Sequence, residues 1–338
     1  MSKTSLNTVI KAYSKPSSRK SSLQIINTLV PYFLIITVMY FMISHNIPYI
    51  FTAILGLIAS LFLVRIFILF HDCTHNSFLT SRKAMSFWGH VFGILTFTSF
   101  YRWKREHMTH HSTVGNIDKR GIGDVWTMTV NEYHDSSLLK KFGYRLYRNP
   151  IVLFLIGPIY VFLINQRFPT KNTNKKEWIS LLITNLSIIG IIVLVSLTIG
   201  FRYYILIQLP IIFFGSSMGV WLFYVQHQYE EVYWENTENW SIKEAALQGS
   251  SVYKLPRLLE WFTGYIGYHN IHHLNSKIPN YNLKKAFNSS NEFRKSRIIT
   301  MFKSLKLSML FIYDEKRKTL ISYKSYKKLG LNKTVKLN

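Results

Sequence analysis

Eight of the twelve histidines in this chain fall in three short clusters. The clusters read HDCTH, HMTHH and HNIHH. Side chains three or four residues apart share one face of a helix, so two imidazoles of a cluster can reach the same ion. A lone histidine is usually a solvated or hydrogen-bonded side chain, whereas three such clusters indicate a metal site. The eight residues are His71, His75, His107, His110, His111, His269, His272 and His273.

The number of clustered histidines limits the kind of metal site. Imidazole suits zinc, copper, iron and nickel. A single zinc takes about four ligands, so this set is too large for one ion and sufficient for two. The sequence has no HExxH motif, so a zinc metalloprotease would lack its general base.

Four further histidines stand outside the clusters. His227, in YVQHQ, could simply favour the dipole at a helix end. Its predicted position beside the clusters makes it our candidate for a ninth ligand. We predict that His45, His90 and His134 take no part in the site, and that His45 lies on the opposite side of the membrane.

Acidic residues near the clusters could orient the metal-bound rings, because such imidazoles usually donate their second nitrogen to a carboxylate or carbonyl. We expect this role first of Asp72 and Asp124. Each could equally be a surface acid or a helix cap, and the same holds for three weaker candidates. These are Glu106, Asp118 and Glu132. We expect Cys73 to point away from the site.

The composition predicts a membrane protein. The chain is 48% hydrophobic and 16% aromatic, yet its net charge is +25. A strong basic charge is typical of nucleic-acid binding. Here the lysines and arginines flank apolar runs and no nucleic-acid motif occurs, so we predict no nucleic-acid partner. The single cysteine excludes an internal disulfide, and the N-terminus does not resemble a signal peptide.

Four apolar segments are long enough to cross a bilayer, which takes about 20 helical residues. They are residues 25–43, 49–70, 179–199 and 203–224. We predict an all-α integral membrane fold of two transmembrane hairpins, with a cytosolic helical cap that holds a di-metal site.

The predicted organisation has three parts. Residues 1–24 form a cytosolic segment, residues 25–315 the membrane domain, and residues 316–338 a basic tail that is loosely ordered beyond Lys327. Of 41 lysines and arginines, 39 lie in segments 1–24, 71–177 and 227–338. The positive-inside rule therefore predicts a multi-pass cell-membrane protein with both termini and the histidine clusters on the cytoplasmic side.

Three features leave alternatives open. Residues 84–101 and 151–168 are marginal for spanning; we interpret both as interfacial or re-entrant helices, and the alternative is a six-span version in which one of them dips in and out of the membrane. Arg65 is the only charge inside a predicted span. We expect it to extend to the interface or, as the less favoured alternative, to contact a buried acid.

The clusters and their order resemble those of the three-box membrane fatty-acid desaturases. Two spans, two boxes, two spans and a third box follow one another as in that family, with a separate QHQ histidine before the last box. The resemblance covers about residues 25–315 and is closest to the bacterial acyl-lipid desaturases, in particular the phospholipid delta-5 type. The segments RIFILFHDC, NIDKRGIGDVWTMTVNEY, GVWLFYVQHQ and NIHHLNSKIPNY carry it.

The resemblance implies two irons held by the eight clustered histidines and His227. It implies that O₂ and two electrons introduce a cis double bond into acyl chains of membrane phospholipids. Animal acyl-CoA desaturases have an asparagine four residues before the separate histidine, where this chain has Phe223. Asn270, Gln226 or another polar group would have to substitute. The first box also has one fewer intervening residue than in acyl-CoA members, and both departures favour a lipid-linked substrate.

An unactivated CH₂–CH₂ pair must be positioned by shape, because methylene groups offer no hydrogen bonds. We expect an apolar tunnel, with five aromatic residues as candidate lining or as simple helix packing. These are Trp221, Phe223, Tyr224, Trp261 and Phe262. The chain has no haem, flavin or cysteine-cluster motif, so electrons must come from a partner. The basic face would attract an acidic carrier such as ferredoxin or flavodoxin, and also anionic lipid headgroups.

Two other classes of protein are alternatives to a desaturase, and each predicts a different observation. A membrane di-iron hydroxylase acting on alkyl or sterol-like lipids would have similar boxes but would insert oxygen. A metal transporter would have ionisable groups along its spans, whereas only Arg65 occurs there.

Overall fold

The computed structural model describes residues 6–329, which are mostly helical. Sixteen helices are numbered in chain order, and α8 contains two stretches with π-helical hydrogen bonding. The helices are α1 Leu6–Tyr13, α2 Ser18–Ser44, α3 Tyr49–Thr74, α4 Arg82–Leu95, α5 Phe100–Thr113, α6 Val130–Asp135, α7 Leu138–Tyr147, α8 Val152–Arg167, α9 Lys175–Thr198, α10 Phe201–His227, α11 Ile242–Gln248, α12 Arg257–Phe262, α13 His269–Leu274, α14 Asn280–Asn288, α15 Met301–Leu307 and α16 Tyr323–Lys328.

Four helices within residues 6–329 are long and apolar enough to cross a membrane: α2, α3, α9 and α10. Helices α2, α3 and α10 contain their predicted spans completely, and α9 ends one residue before the predicted end at 199. All four extend at one end or both into more polar sequence, because helical hydrogen bonding continues beyond the apolar segment. Thus α3 runs on to Thr74 and takes in most of the first histidine cluster. Helices α3 and α10 pack closely, since a Cβ atom on Gly56 would lie 2.7 Å from Cβ of Pro210.

The two marginal apolar stretches have different structures. Residues 84–101 are not one helix, because the chain turns between α4 and α5, where Phe97 has a φ of 54°. Gly93 permits the turn, since a Cβ there would lie 2.4 Å from the carbonyl oxygen of Thr98. Nearly all of residues 151–168 form α8, which bends by 64° from α7. If this bent pair counts as one span, the number of candidate spans rises to five.

The all-α prediction is wrong in detail, because four short strands occur. Strand β1 (Val252–Lys254) pairs in parallel with β2 (Ile298–Thr300), and β3 (Leu310–Asp314) pairs antiparallel with β4 (Thr319–Ser322). Their β-branched and aromatic residues pair at the edge of the helical cap, where helices leave backbone groups available. Within the predicted tail, β4 and α16 are therefore ordered; residues 330–338 lie outside the described residues.

Among residues 6–329, Arg65 pairs with no acid, so the less favoured of its two predicted positions is wrong. Its side chain is buried on α3, and its Nε donates to Thr28 Oγ1 at 3.0 Å. The guanidinium also donates to the carbonyl oxygen of Trp261 and stacks 3.9 Å from the Trp261 ring. Because these neutral acceptors and the ring surround the charge, it needs neither the interface nor an acid. The side chain of Arg65 therefore links α3 to α2 and to α12.

Candidate metal centre

The three histidine clusters meet in the cap as two adjacent groups. His71, His75, His107, His111 and His272 form a five-histidine group, and in the other group His110, His227 and His273 share a centre. Within each group, the ring nitrogens lie within 4.8 Å of one another. His269 joins the second group, because its Nε2 lies 2.9 Å from Nε2 of His227 and 3.1 Å from Nε2 of His273. We refer to this second set as the four-histidine group.

The two groups touch each other. The rings of His111 and His273 stack with centroids 4.1 Å apart. Helix α5 supplies both groups: His107 and His111, four residues apart, belong to one, and His110, which lies about 100° around the helix from His111, belongs to the other. Helix α13 divides in the same way, with His272 in one group and His269 and His273 in the other.

The ring nitrogens have the spacing of metal ligands. Nε2 of His111 lies 3.1 Å from Nε2 of His107 and 3.0 Å from Nε2 of His272. Two nitrogens bound to one ion at about 2.1 Å lie about 3 Å apart when their bonds are near right angles. Both ring nitrogens of His75 and Nε2 of His71 are buried without a hydrogen-bond partner among residues 6–329. A cation within the group would satisfy Nε2 of His71 and one of the two nitrogens of His75.

Hydrogen bonds to the outer nitrogens fix two rings of the four-histidine group. Nδ1 of His110 lies 2.6 Å from Oδ1 of Asp124, and Nδ1 of His227 lies 3.2 Å from the carbonyl oxygen of Gly249. Because a carboxylate and a carbonyl only accept, both Nδ1 atoms carry the proton and both Nε2 atoms present lone pairs. These two Nε2 atoms lie 3.2 Å apart, which neutral rings tolerate only with a cation between them.

Of the acids that the sequence suggested, Asp124 and Asp72 contact ligand rings. Burial raises the pKa of Asp124, but the hydrogen bond and charge of His110 and the amide of Gly121 together lower it below the ordinary value. Gly123 permits this contact, because its φ is +75° and a Cβ would lie 3.1 Å from Cβ of His110. Sequence reasoning missed Gly123, although the RGIGD segment offered it.

Asp72 connects the five-histidine group to the N-terminal helices. Its Oδ1 lies 3.3 Å from Nδ1 of His71, and its Oδ2 accepts from the backbone and side-chain nitrogens of Asn280 at 2.7 and 2.9 Å. Oδ1 of Asn280 in turn accepts from Nε2 of Gln24 on α2 at 2.8 Å.

The remaining acids have other partners. Glu106 pairs with Arg102, Asp118 accepts from the backbone nitrogen of Thr237, and Glu132 completes the capping box of α6. Cys73 lies in the apolar core outside both groups, as expected. His45, His90 and His134 also lie outside both groups.

The environment keeps six of the histidines neutral. Burial lowers the pKa of His75, His107 and His111 well below the ordinary value, and neighbouring histidines lower it further. The same causes act on His269, His272 and His273. Neutral imidazole is the form that binds a metal, so the site is prepared for one.

Phe223 occupies the place where an additional polar group was expected. Its ring lies 5.2 Å from that of His110 and 5.1 Å from that of His227. Asn270 does not line the cavity, and its Nδ2 donates to Ser296 and to the Phe293 carbonyl. Gln226 lines the cavity beside the site, so of the two named substitutes it alone is suitably placed.

A cavity of about 780 Å³ opens against the histidines. His71, His107 and His269 form part of its wall, and its deeper part lies between α3 and α10 beside Leu63, Gly215 and Gly219. Of the aromatic residues predicted to line a tunnel, only Phe223 does so. Trp221 and Tyr224 pack on Phe154, and Trp261 and Phe262 pack on Phe62, because helix packing uses those faces.

Two adjacent groups of neutral histidines beside an apolar cavity define a membrane protein suited to metal-dependent chemistry on an apolar substrate. Comparison with known proteins identifies the class. A family model described as fatty acid desaturase matches residues 29–304. The chain is 42% identical over 323 residues to a fatty acid desaturase of Bacillus subtilis (strain 168), covering 96% of this chain and 91% of that protein.

Two cyanobacterial relatives are more distant. The sn-1 acyl-lipid omega-3 desaturase (ferredoxin) of Nostoc sp. (strain 36) is 28% identical over 75% of this chain and 71% of its own length. The sn-1 oleoyl-lipid 12-desaturase of Synechocystis sp. (strain ATCC 27184 / PCC 6803 / Kazusa) is 27% identical over 67% of this chain and 64% of its own length. The chain belongs to the fatty acid desaturase family. It is an oxidoreductase of lipid metabolism that desaturates acyl chains.

Proposed function

We propose that this chain is an acyl-lipid desaturase that introduces a cis double bond, at the delta-5 position, into fatty-acyl chains of membrane phospholipids. The observation that carries the proposal is the pair of nitrogen-only groups facing an apolar cavity. Residues 25–315 would form the catalytic membrane domain. The delta-5 position is proposed from the resemblance of the sequence motifs to phospholipid delta-5 desaturases.

Each histidine group would hold one iron. The ligands would be His71, His75, His107, His111 and His272 for one ion and His110, His227, His269 and His273 for the other. An iron pair, when bound, supplies the oxidising power derived from O₂ that no side chain can provide. The neutral ring nitrogens of these nine histidines would act as metal ligands and not as acid–base groups. Asp124 and the Gly249 carbonyl hold the outer protons, which keeps two inner nitrogens free for metal.

The cavity would position the acyl chain. Its apolar wall between α3 and α10 can hold methylene groups only by contact, so depth and shape decide which carbons lie beside His71, His107 and His269. Phe223 covers part of the four-histidine group and excludes water there. Water exclusion favours reaction of the bound chain over unproductive use of O₂.

We further propose four membrane-spanning helices in two hairpins, α2 with α3 and α9 with α10, and cytoplasmic termini and active site. The distribution of lysine and arginine supports this orientation. Electrons would come from ferredoxin or flavodoxin. The Nostoc relative carries ferredoxin in its name, and the basic cytoplasmic segments would attract such an acidic carrier.

The test is expression in a host that has no desaturase, followed by mass spectrometry of its phospholipids with the double bonds mapped. We expect a new alkene in phospholipid acyl chains at the delta-5 position. His110→Ala and His272→Ala should insert into the membrane and lose the alkene, whereas His134→Ala should retain it. A hydroxylated product would favour the hydroxylase alternative and overturn the proposal, and an alkene at another position would overturn its delta-5 part.

A further inference from the structure

One exposed face of α5 leads from the protein surface to the metal centre. Lys104, Met108 and His111 lie on this face, because their spacing of four and three residues brings their side chains together. Met108 is 43% exposed, which is unusual for a large apolar side chain within a polar helix. His111 is the half-exposed member of the five-histidine group, and the other four are buried.

Basic side chains lie within electrostatic reach of Lys104 on this face. Nζ of Lys104 donates at 3.3 Å to Oδ1 of Asn76, the residue after His75. Burial lowers the pKa of Lys104 most, and the positive charges of exposed Lys277 and Arg82 lower it further. Within residues 6–329, none of the three forms an ion pair with an acid. Their positive charge is therefore available to a partner.

The face is separate from the entrance for the acyl chain. The cavity is lined by His71, His107 and His269, whereas His111, Met108 and Lys104 do not contribute to its wall. A molecule bound on α5 would thus reach the metal centre without displacing an acyl chain. An apolar side chain ringed by charge is also the usual composition of a protein–protein interface.

We propose that Arg82, Lys104, Met108 and Lys277 form the docking surface for a small acidic one-electron carrier protein, whose electrons reach the five-histidine group past His111. We call these four residues the α5 surface. The inference rests on the proposed function and specifies where its electron donor binds. A lipid surface is a poorer occupant, because Met108 is the sole large apolar side chain offered here, whereas α7 exposes Leu138, Leu139 and Phe142 together.

The electron requirement agrees with repeated docking of such a carrier. Formation of one alkene from a CH₂–CH₂ pair removes two hydrogens and consumes one O₂, two protons and two further electrons, and releases two waters. Two reduced carriers supply these electrons, and each is oxidised by one electron. The carrier must therefore bind, leave and be replaced within one turnover, which favours a small polar interface with charge-assisted association.

The test compares two triple variants that change the net charge equally. One carries Arg82→Glu, Lys104→Glu and Lys277→Glu on the α5 surface. The control carries Lys324→Glu, Lys327→Glu and Lys328→Glu on α16, which packs against β3 and β4. The dissociation constant for a purified plant-type [2Fe–2S] ferredoxin is measured with the iron-loaded protein in nanodiscs of neutral lipid, at low and at moderate salt.

We expect the α5-surface variant to bind the ferredoxin about tenfold more weakly or worse and to lose most of the salt dependence. The control should remain within about twofold of the parent protein. Equal weakening in both variants would mean that net charge alone acts, and an unchanged dissociation constant in the α5-surface variant would mean that the carrier binds elsewhere. Either result overturns the proposal.

Two further measurements keep the test decisive. Thermal unfolding would reveal whether the triple variant misfolds. Lys277→Glu alone changes an exposed side chain, so it tests docking even in that case. A dissociation constant equal to that of the parent protein would contradict the α5 surface. Weakened binding to anionic vesicles, with ferredoxin binding intact, would assign the surface to lipid and overturn the proposal. Alkene formation driven by a photoreduced dye tests the proposed function separately, because it needs no carrier protein.

Discussion

Nδ1 of His110 lies 2.6 Å from Oδ1 of Asp124, and this contact decides which nitrogen of His110 faces the centre of its group. The carboxylate holds the proton on Nδ1, so Nε2 is left with its lone pair directed at Nε2 of His227. Asp124 reaches the ring because Gly123 lets the loop lie against α5. A residue outside the histidine clusters thus determines whether the four-histidine group can accept a cation.

Asp124→Asn should weaken metal binding by the four-histidine group. The amide has a similar shape but no charge, and loss of such an outer carboxylate typically costs about 10- to 100-fold in metal affinity or activity. The measurement is iron retained per chain against graded concentrations of a chelator. Asp118→Asn is the matched control, because Asp118 is an exposed aspartate of the same loop and contacts Thr237. Identical chelator curves for the two variants would contradict the assigned role.

Removal of metal should destabilise the protein. Without a cation, the lone pairs of His110 and His227 face each other at 3.2 Å, and buried nitrogens of His71 and His75 lack partners. We expect chelation to lower the thermal unfolding temperature and ferrous iron to restore it. The control is His110→Ala with His272→Ala, for which the chelator should shift unfolding less. An unfolding temperature unaffected by complete removal of iron would argue against both groups as metal sites.

Gly219→Leu should shorten the cavity. A Cβ on Gly219 would meet nothing within 4 Å, so a larger side chain extends into open space between α3 and α10 without a clash at its base. We expect conversion of longer acyl chains to fall more than conversion of shorter ones, as measured by the product profile from phospholipids of defined chain length. Gly190→Leu is the control, because Gly190 also has open space but lies on α9 away from the cavity. If conversion fell equally for all chain lengths, Gly219 would not determine which chain lengths are accepted.

Arg65→Leu should destabilise the membrane helices. The substitution leaves Thr28 and the Trp261 carbonyl without their donor and removes the stacked guanidinium. We expect a loss of about 2 kcal/mol, seen as a lower unfolding temperature in detergent. Arg65→Lys should recover only part of it, because one ammonium cannot reproduce the planar set of donors. Arg202→Leu, at an exposed helix end, should change the unfolding temperature little. If it lowered that temperature as much as Arg65→Leu, loss of positive charge alone would explain both results.

The sequence predicts the helical spans well because apolar length is a local property. Residues 25–43 and 49–70 lie within α2 and α3, and most of 179–199 lies within α9. The histidine clusters predict a site for the same reason, since spacing along a helix determines which rings share a face. Their division into groups of five and four could not be predicted, because it depends on how α5 and α13 meet across more than 150 residues.

Contacts between distant segments account for the errors. The partner of Arg65 is Trp261, almost 200 residues away, and no local pattern connects them. The tunnel residues were chosen for aromatic character, yet the cavity is lined by a mixture of aliphatic, polar and other aromatic residues, such as Leu63, Gln226 and Phe67. Strands β1 and β2 were missed because they pair across more than 40 residues of the chain.

The hydrogen-bonded series His71, Asp72, Asn280 and Gln24 has a mechanical consequence. Gln24 belongs to α2, whose side chains include many exposed apolar residues such as Leu34 and Phe41. A tilt of that helix would pull on Asn280, and the displacement would pass through Asp72 to the imidazole of His71. The orientation of the His71 ring is therefore coupled to the tilt of α2, so stretching or thinning of a bilayer around that helix would act directly on the five-histidine group.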